Sequence, residues 1–129
     1  MNLWLIGAGQ MAQDYAQVLK ALDVQFEVIG RGTDSASNFF NKIGQKVQPG
    51  GVHKVLKGCH APDRAIVAVG VEQLAETATA LIEAGTHQIL LEKPGGMNLE
   101  ELKLLHEAQS KHSELGIELN AEIWLAYNR

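Results

Sequence analysis

An α/β fold is what this sequence predicts: a doubly wound, mostly parallel sheet of strand order 3-2-1-4-5-6. Three observations carry that expectation. Short apolar runs show no two-residue alternation, which is how strands buried on both faces read. Segments with apolar residues at helical spacing separate those runs. The first apolar run passes straight into a glycine-rich turn that opens a helix. Right-handed crossovers between such strands lead to the doubly wound order.

The elements follow in order. LWLI, at residues 3–6, is a buried strand closed by Gly7. GAGQMAQDYAQVLKAL comes next, with Met11, Tyr15, Val18, Leu19 and Leu22 at helical spacing. FEVIG, at 26–30, reads as the second strand. TDSASNFFNKIG reads as a helix with Thr33 or Asp34 as N-cap and Gly44 as its stop, Phe39 and Phe40 packing it on the sheet. The pattern from 45 to 63 is weaker: KVQ as a short third strand, GVHKVLKG as a short helix, Pro62-Asp63 as a turn. AIVAVG, at 65–70, is a buried strand. VEQLAETATALIEAG is a helix with Val71, Leu74, Ala75, Ala78 and Ile82 on one face and Gly85 as C-cap. QILLE, at 88–92, is the next strand. Asn98 and Glu101 form a capping-box pattern before LEELKLLHEAQSKHSELG, and IELNAEIWLAYNR supplies a last extended segment.

The bulk composition excludes several classes. The chain has 129 residues, 46% hydrophobic and 20% charged, with a net charge of −4, so it lacks the broad positive field of a nucleic-acid binder. A single cysteine, Cys59, can form neither an intrachain disulfide nor a cysteine-based metal site. His53, His60, His87, His106 and His112 are scattered, and none is read as a metal ligand. Trp4 and Trp124 fall in predicted strands and are read as core or interface residues. No stretch approaches the ~20 apolar residues of a membrane span. The start, MNLWLIGAG, lacks the basic region of a signal peptide, so a cytoplasmic chain is expected.

Ligands of doubly wound sheets bind beyond the carboxyl ends of the strands. The residues just after each strand therefore form the candidate site. GAGQMA fits the pattern G-x-G-x-x-A with Gly7, Gly9 and Ala12. Gly7 allows the tight turn, Gly9 lets a pyrophosphate approach the backbone, and Ala12 lets the helix pack closely on the sheet. Backbone N–H groups around Gln10 and Met11 would hold the phosphates. The alternative is an ordinary structural turn. Glu27 has roughly the offset of a ribose-binding acid, yet Val28 and Ile29 still follow it in the strand. The strand-end positions are instead Gly30, Arg31 and Gly32. Arg31 can pair with a 2′-phosphate, with Thr33, Ser35 and Ser37 adding hydrogen bonds. This favours NADP, while Asp34 as a ribose partner keeps NAD open.

The second half adds a resemblance. AIVAVGVEQLAETATALIEAGTHQILLEKPGG resembles the Gfo/Idh/MocA oxidoreductases, in its Glu83-Ala84-Gly85 helix end and its Glu92-Lys93-Pro94 motif. AYNR, with Tyr127, Asn128 and Arg129, resembles the family's segment leaving the nucleotide domain. The family's Thr-Pro turn is Gly70-Val71 here, so backbone contacts from those two residues stand in for side-chain contacts. The resemblance implies that Lys93 hydrogen-bonds the hydroxyl being oxidised and stabilises alkoxide charge. It implies that Glu92 orients local groups, that Pro94 fixes the turn, and that Tyr127, Asn128 and Arg129 line the cleft. It also implies a Rossmann domain at 1–118, with 119–129 leading into a C-terminal substrate and oligomerisation domain beyond the chain. A small sugar-like substrate and a homo-oligomer fit that picture. The rival readings are a stand-alone nucleotide-sensing module without catalysis and a structural domain without ligand.

Overall fold

The computed structural model describes residues 2–92 and the backbone of the strand at 122–125. The predicted helix after Asn98 lies outside the described residues, as do Lys93, Pro94, Tyr127, Asn128 and Arg129. The elements are β1 (Leu3–Ile6), α1 (Gln10–Ala21), β2 (Glu27–Ile29), α2 (Thr33–Ile43), β3 (Val47–Gln48), α3 (Gly51–Gly58), β4 (Arg64–Val67), α4 (Val71–Ala84), β5 (Gln88–Leu91) and β6 (Glu122–Leu125). They form one sheet of order β3-β2-β1-β4-β5-β6, every pair parallel. This is the predicted order. The switch point lies between β1 and β4, whose registers run Trp4 to Ala65 and Ile6 to Val67.

Alternation along the strands divides the core between two faces. Trp4, Ile6, Ile29, Val67, Ile89 and Leu91 pack with Val52 and Val55 of α3 and Leu74, Ala78, Leu81 and Ile82 of α4. Leu5, Val28, Ile66 and Ala68 pack with Ala12, Ala16 and Leu19 of α1 and Phe39 of α2. Both faces are covered, which is why the apolar runs show no alternation.

Several expectations shift. Of the large apolar residues of α1, Leu19 is buried and Met11 and Tyr15 pack partly buried against the core, whereas Val18 and Leu22 are 56% and 67% exposed and lie off its buried face. The small residues Ala12 and Ala16, both 0% exposed, let the helix sit close to the sheet. α2 is capped by Gly32 rather than Thr33 or Asp34, because Thr33 is already helical and the Ala36 N–H reaches the Gly32 carbonyl at 3.2 Å. β4 ends at Val67, and the chain to Gly70 is the turn into α4. Val71 is 40% exposed and leaves the buried face of α4 to Leu74, Ala75, Thr77, Ala78, Leu81 and Ile82. Glu27 is the exposed first residue of β2, at the strand end away from the site. Among the described residues, no helix is long and apolar enough to cross a membrane.

The adjacent phenylalanines separate cleanly. Phe39 is 0% exposed and Phe40 is 45% exposed. Phe39→Ala is expected to cost about 3–5 kcal/mol in urea unfolding, and Phe40→Ala under about 1 kcal/mol. Equal losses would contradict the packing described.

Candidate functional site

A cleft of about 540 Å³ opens beyond the carboxyl ends of β1, β2 and β4, at the switch point. Its floor is the turn from β1 into α1. The Gly7 N–H donates to the Ile29 carbonyl at 2.7 Å, and the Ala68 N–H to the Ile6 carbonyl at 2.8 Å, so neighbouring strands hold the turn down. Gly7 has φ +122°, and a Cβ there would meet the Ala68 carbonyl oxygen at 2.2 Å. Glycine at this position is a requirement of the fold.

Gly9 differs. Its backbone, φ −84° and ψ −167°, is extended and open to any residue. A Cβ there would meet nothing within 4 Å. Neither torsion nor packing among the described residues calls for glycine at Gly9, and the space over it opens into the cleft.

Four helices begin at this end of the sheet. Their N-caps are Gly9, Gly32, Gly50 and Gly70; all four line the cleft, and none supplies a side-chain cap. Ser, Thr, Asp or Asn would ordinarily satisfy those first-turn N–H groups. At α3 the Gly51 N–H donates instead to the Gly30 carbonyl at 3.0 Å, and at α4 the Gln73 N–H to the Gly70 carbonyl at 2.9 Å, whereas the Gln10 and Met11 N–H groups at the start of α1 face the cleft without a side-chain cap. The helices differ in charge: α2 carries Asp34 and α4 carries Glu72 in the first turn, whereas α1 and α3 carry no acid there. A Cβ on Gly70 would lie 2.4 Å from a Glu72 carboxylate oxygen, so α4 already has a negative group folded over its start. The positive ends of α1 and α3 have none from their own first turns.

Of the residues expected from sequence, the structure brings Gly7, Gly9, Gln10, Met11, Arg31, Gly32, Ser35 and Gly70 together in this cleft. Val71 and Glu92 stand outside its lining. Arg31 is exposed at the end of β2, its side chain lying over Gly51, where a Cβ would come within 3.1 Å of Arg31 Cγ. Gln73, within the post-strand stretch 70–73 that the sequence marks, lines the cleft too; the sequence reading missed Gly50, Gly51, Val52 and His53 at the start of α3, and Ala68, Val69, Glu76 and Thr77 around α4. The signal for the first group was present: VQPGGV repeats the grammar of a strand, glycines and a helix seen at Gly7, but β3 is only two residues long. His53 Nε2 lies 3.0 Å from Glu76 Oε1 across the cleft wall. With both side chains more than half exposed, that pair adds little stability.

Glu92 has a different setting. It is 7% exposed, and its Oε2 accepts a 2.7 Å hydrogen bond from the Tyr15 hydroxyl of α1. Burial first, and then the Glu92 carboxylate, push the Tyr15 hydroxyl above the ordinary tyrosine pKa, so it stays a donor. Among the described residues, no group of three His, Cys, Asp or Glu side chains could hold a metal ion.

The model of an oxidoreductase family with an NAD-binding Rossmann fold matches residues 1–118 of this chain. No curated protein matches it. Solved structures share the fold. Biliverdin reductase from Synechocystis sp. PCC 6803, in complex with biliverdin and NADP+, is 20% identical, with a TM-score of 0.73 over 96% of this chain and 37% of its own. The UDP-N-acetylglucosamine 3-dehydrogenase GnnA from Acidithiobacillus ferrooxidans is 22% identical, with a TM-score of 0.69 over 88% of this chain and 36% of its own. The WlbA dehydrogenase from Chromobacterium violaceum, in complex with NADH and UDP-GlcNAcA, is 15% identical, with a TM-score of 0.76 over 98% of this chain and 34% of its own. The chain spans about a third of the length of these proteins.

Proposed function

The chain belongs to the Gfo/Idh/MocA oxidoreductases, and on that premise we propose that its cleft takes NADP in preference to NAD for hydride transfer on a hydroxyl or carbonyl of a sugar, cyclitol or sugar nucleotide. One observation carries this reading: the space over Gly9, at an uncapped helix start without first-turn acid, inside a cleft at the switch point. A pyrophosphate fits that position on three grounds: room, free N–H donors and the positive end of a helix. The nicotinamide, when bound, supplies the hydride chemistry. The protein's part is to bind and orient it.

Gly7 sets the turn, and the N–H groups of Gln10 and Met11 lie at the α1 start that would receive the phosphates. Arg31, lying over Gly51 at the acid-free start of α3, favours a 2′-phosphate over a bare ribose, with Ser35 in the first turn of α2 as a hydrogen-bond donor and Asp34 beside it as the ribose partner that NAD would use. The exposed Glu27, at the opposite end of β2, is too far along the strand to select NAD. Lys93, outside the described residues, takes the role of contacting the substrate oxygen and stabilising its developing charge. In this reading residues 1–118 form the nucleotide domain and 119–129 lead toward a substrate and oligomerisation domain. The sugar nucleotide named for GnnA supports the substrate class.

Calorimetric titration of wild type and Arg31→Ala with NADPH and NADH tests the cofactor assignment. Loss of a charge-assisted phosphate contact is expected to weaken NADPH roughly 10- to 100-fold and to change NADH less than about threefold. Equal affinity for both cofactors, unaltered by the substitution, would remove the NADP preference.

A further inference from the structure

One wall of the cleft carries polar side chains that no phosphate accounts for. His53 of α3 and Glu76 and Thr77 of α4 line it, and Val52, Val55, Leu74 and Ala78 join the same two helices in the core. His53 Nε2 lies 3.0 Å from Glu76 Oε1, which fixes one oxygen of the carboxylate. The other oxygen, Oε2, has no partner among the described residues. Thr77 is 5% exposed, yet it lines the cleft, and its hydroxyl has no hydrogen-bond partner among the described residues. A hydroxyl buried to that degree costs free energy until something pairs with it.

The rest of the cleft indicates which part of a dinucleotide would meet this wall. The pyrophosphate is assigned to the space over Gly9, and Arg31, the partner assigned to the 2′-phosphate, lies over Gly51 in the first turn of α3. His53 belongs to that same turn. The 2′-phosphate is carried by the adenosine ribose, so the base attached to that ribose is the part next to α3. A carboxylate on the wall suits an uncharged base and repels a phosphate.

We propose that Glu76 and Thr77 are specificity-determining residues that select adenine over a 6-oxopurine; the proposal rests on the reading of the cleft as a dinucleotide site. Adenine carries an amino donor at C6, where hypoxanthine and guanine carry an oxygen. A carboxylate only accepts, so it pairs with the amino group but meets the oxygen as a second acceptor. The Thr77 hydroxyl donates to a ring nitrogen that carries no proton in adenine. His53 holds the Glu76 carboxylate against the wall.

The test is calorimetric titration of the full chain with NADPH and with its hypoxanthine analogue, repeated with NADH and the corresponding analogue. Wild type is expected to bind the adenine form about tenfold more tightly in both pairs. Glu76→Gln, whose amide both accepts and donates, is expected to bring that ratio to within about twofold. Glu76 is exposed, so this variant should keep the wild-type thermal midpoint. Thr77→Val, which keeps the shape and removes the hydroxyl, is expected to weaken NADPH about three- to tenfold. The Glu76→Gln ratio decides where Thr77→Val folds poorly. A ratio near one in wild type, or a tenfold ratio that Glu76→Gln leaves intact, would overturn the proposal, as would unchanged NADPH affinity in a folded Thr77→Val. A wild-type chain that binds neither form of either cofactor defeats the dinucleotide reading itself, whereas one that binds both forms alike defeats only the base assignment.

Discussion

A Gly9→Val variant is expected to fold normally and to lose on the order of 100-fold in dinucleotide affinity, about 2.7 kcal/mol. The two halves of that expectation come from separate observations. The extended backbone at Gly9 suits valine, and no atom lies within 4 Å of the added Cβ, so the fold has no objection. Valine is a poorer N-cap than glycine, which limits the stability change to about 1 kcal/mol. The added methyl groups would instead occupy the space where a pyrophosphate must approach the start of α1. Calorimetric unfolding and NADPH titration on the same sample read both halves. Retained affinity in a folded variant would mean that the ligand does not sit over Gly9.

Gly7→Ala is expected to do the opposite: to destabilise the chain by about 3–5 kcal/mol before any ligand is considered. At φ +122° an L side chain is strained, and the contact partner is the Ala68 backbone carbonyl rather than a side chain that can turn aside. Relief would require β1 and β4 to separate at the switch point, where the Ala68 N–H bonds to Ile6. Against a typical stability of about 5–15 kcal/mol, that loss is large. The thermal midpoint should fall by about 10–20 °C. A midpoint within a few degrees of wild type would show that the turn can relax at little cost. Two glycines of one motif thus answer to different demands, one to the fold and one to the ligand.

The sheet was legible because its strands are buried on both faces, and uninterrupted apolar runs such as LWLI and AIVAV say so directly. Helix faces were less legible. Periodicity gives weight to Val18 and Leu22, but close packing selected Ala12 and Ala16, whose small side chains carry little hydrophobic signal. The glycine turn and Arg31 were readable because strand, turn and helix are contiguous in the chain. His53, Glu76 and Thr77 were not, since the crossover that brings α3 and α4 to one cleft is a property of topology rather than of any local pattern. The Tyr15–Glu92 bond was invisible for the same reason: neither residue marks the other across 77 positions.

The most direct test of the dinucleotide assignment is an amide chemical-shift map of the ¹⁵N-labelled chain titrated with NADP+. The cleft geometry predicts shifts concentrated at residues 7–12, 30–35, 50–53 and 68–73, where the four helix starts converge. Shifts centred on the opposite end of the sheet, around Lys20, Val24 and Phe26, or no shifts at saturating cofactor, would contradict it.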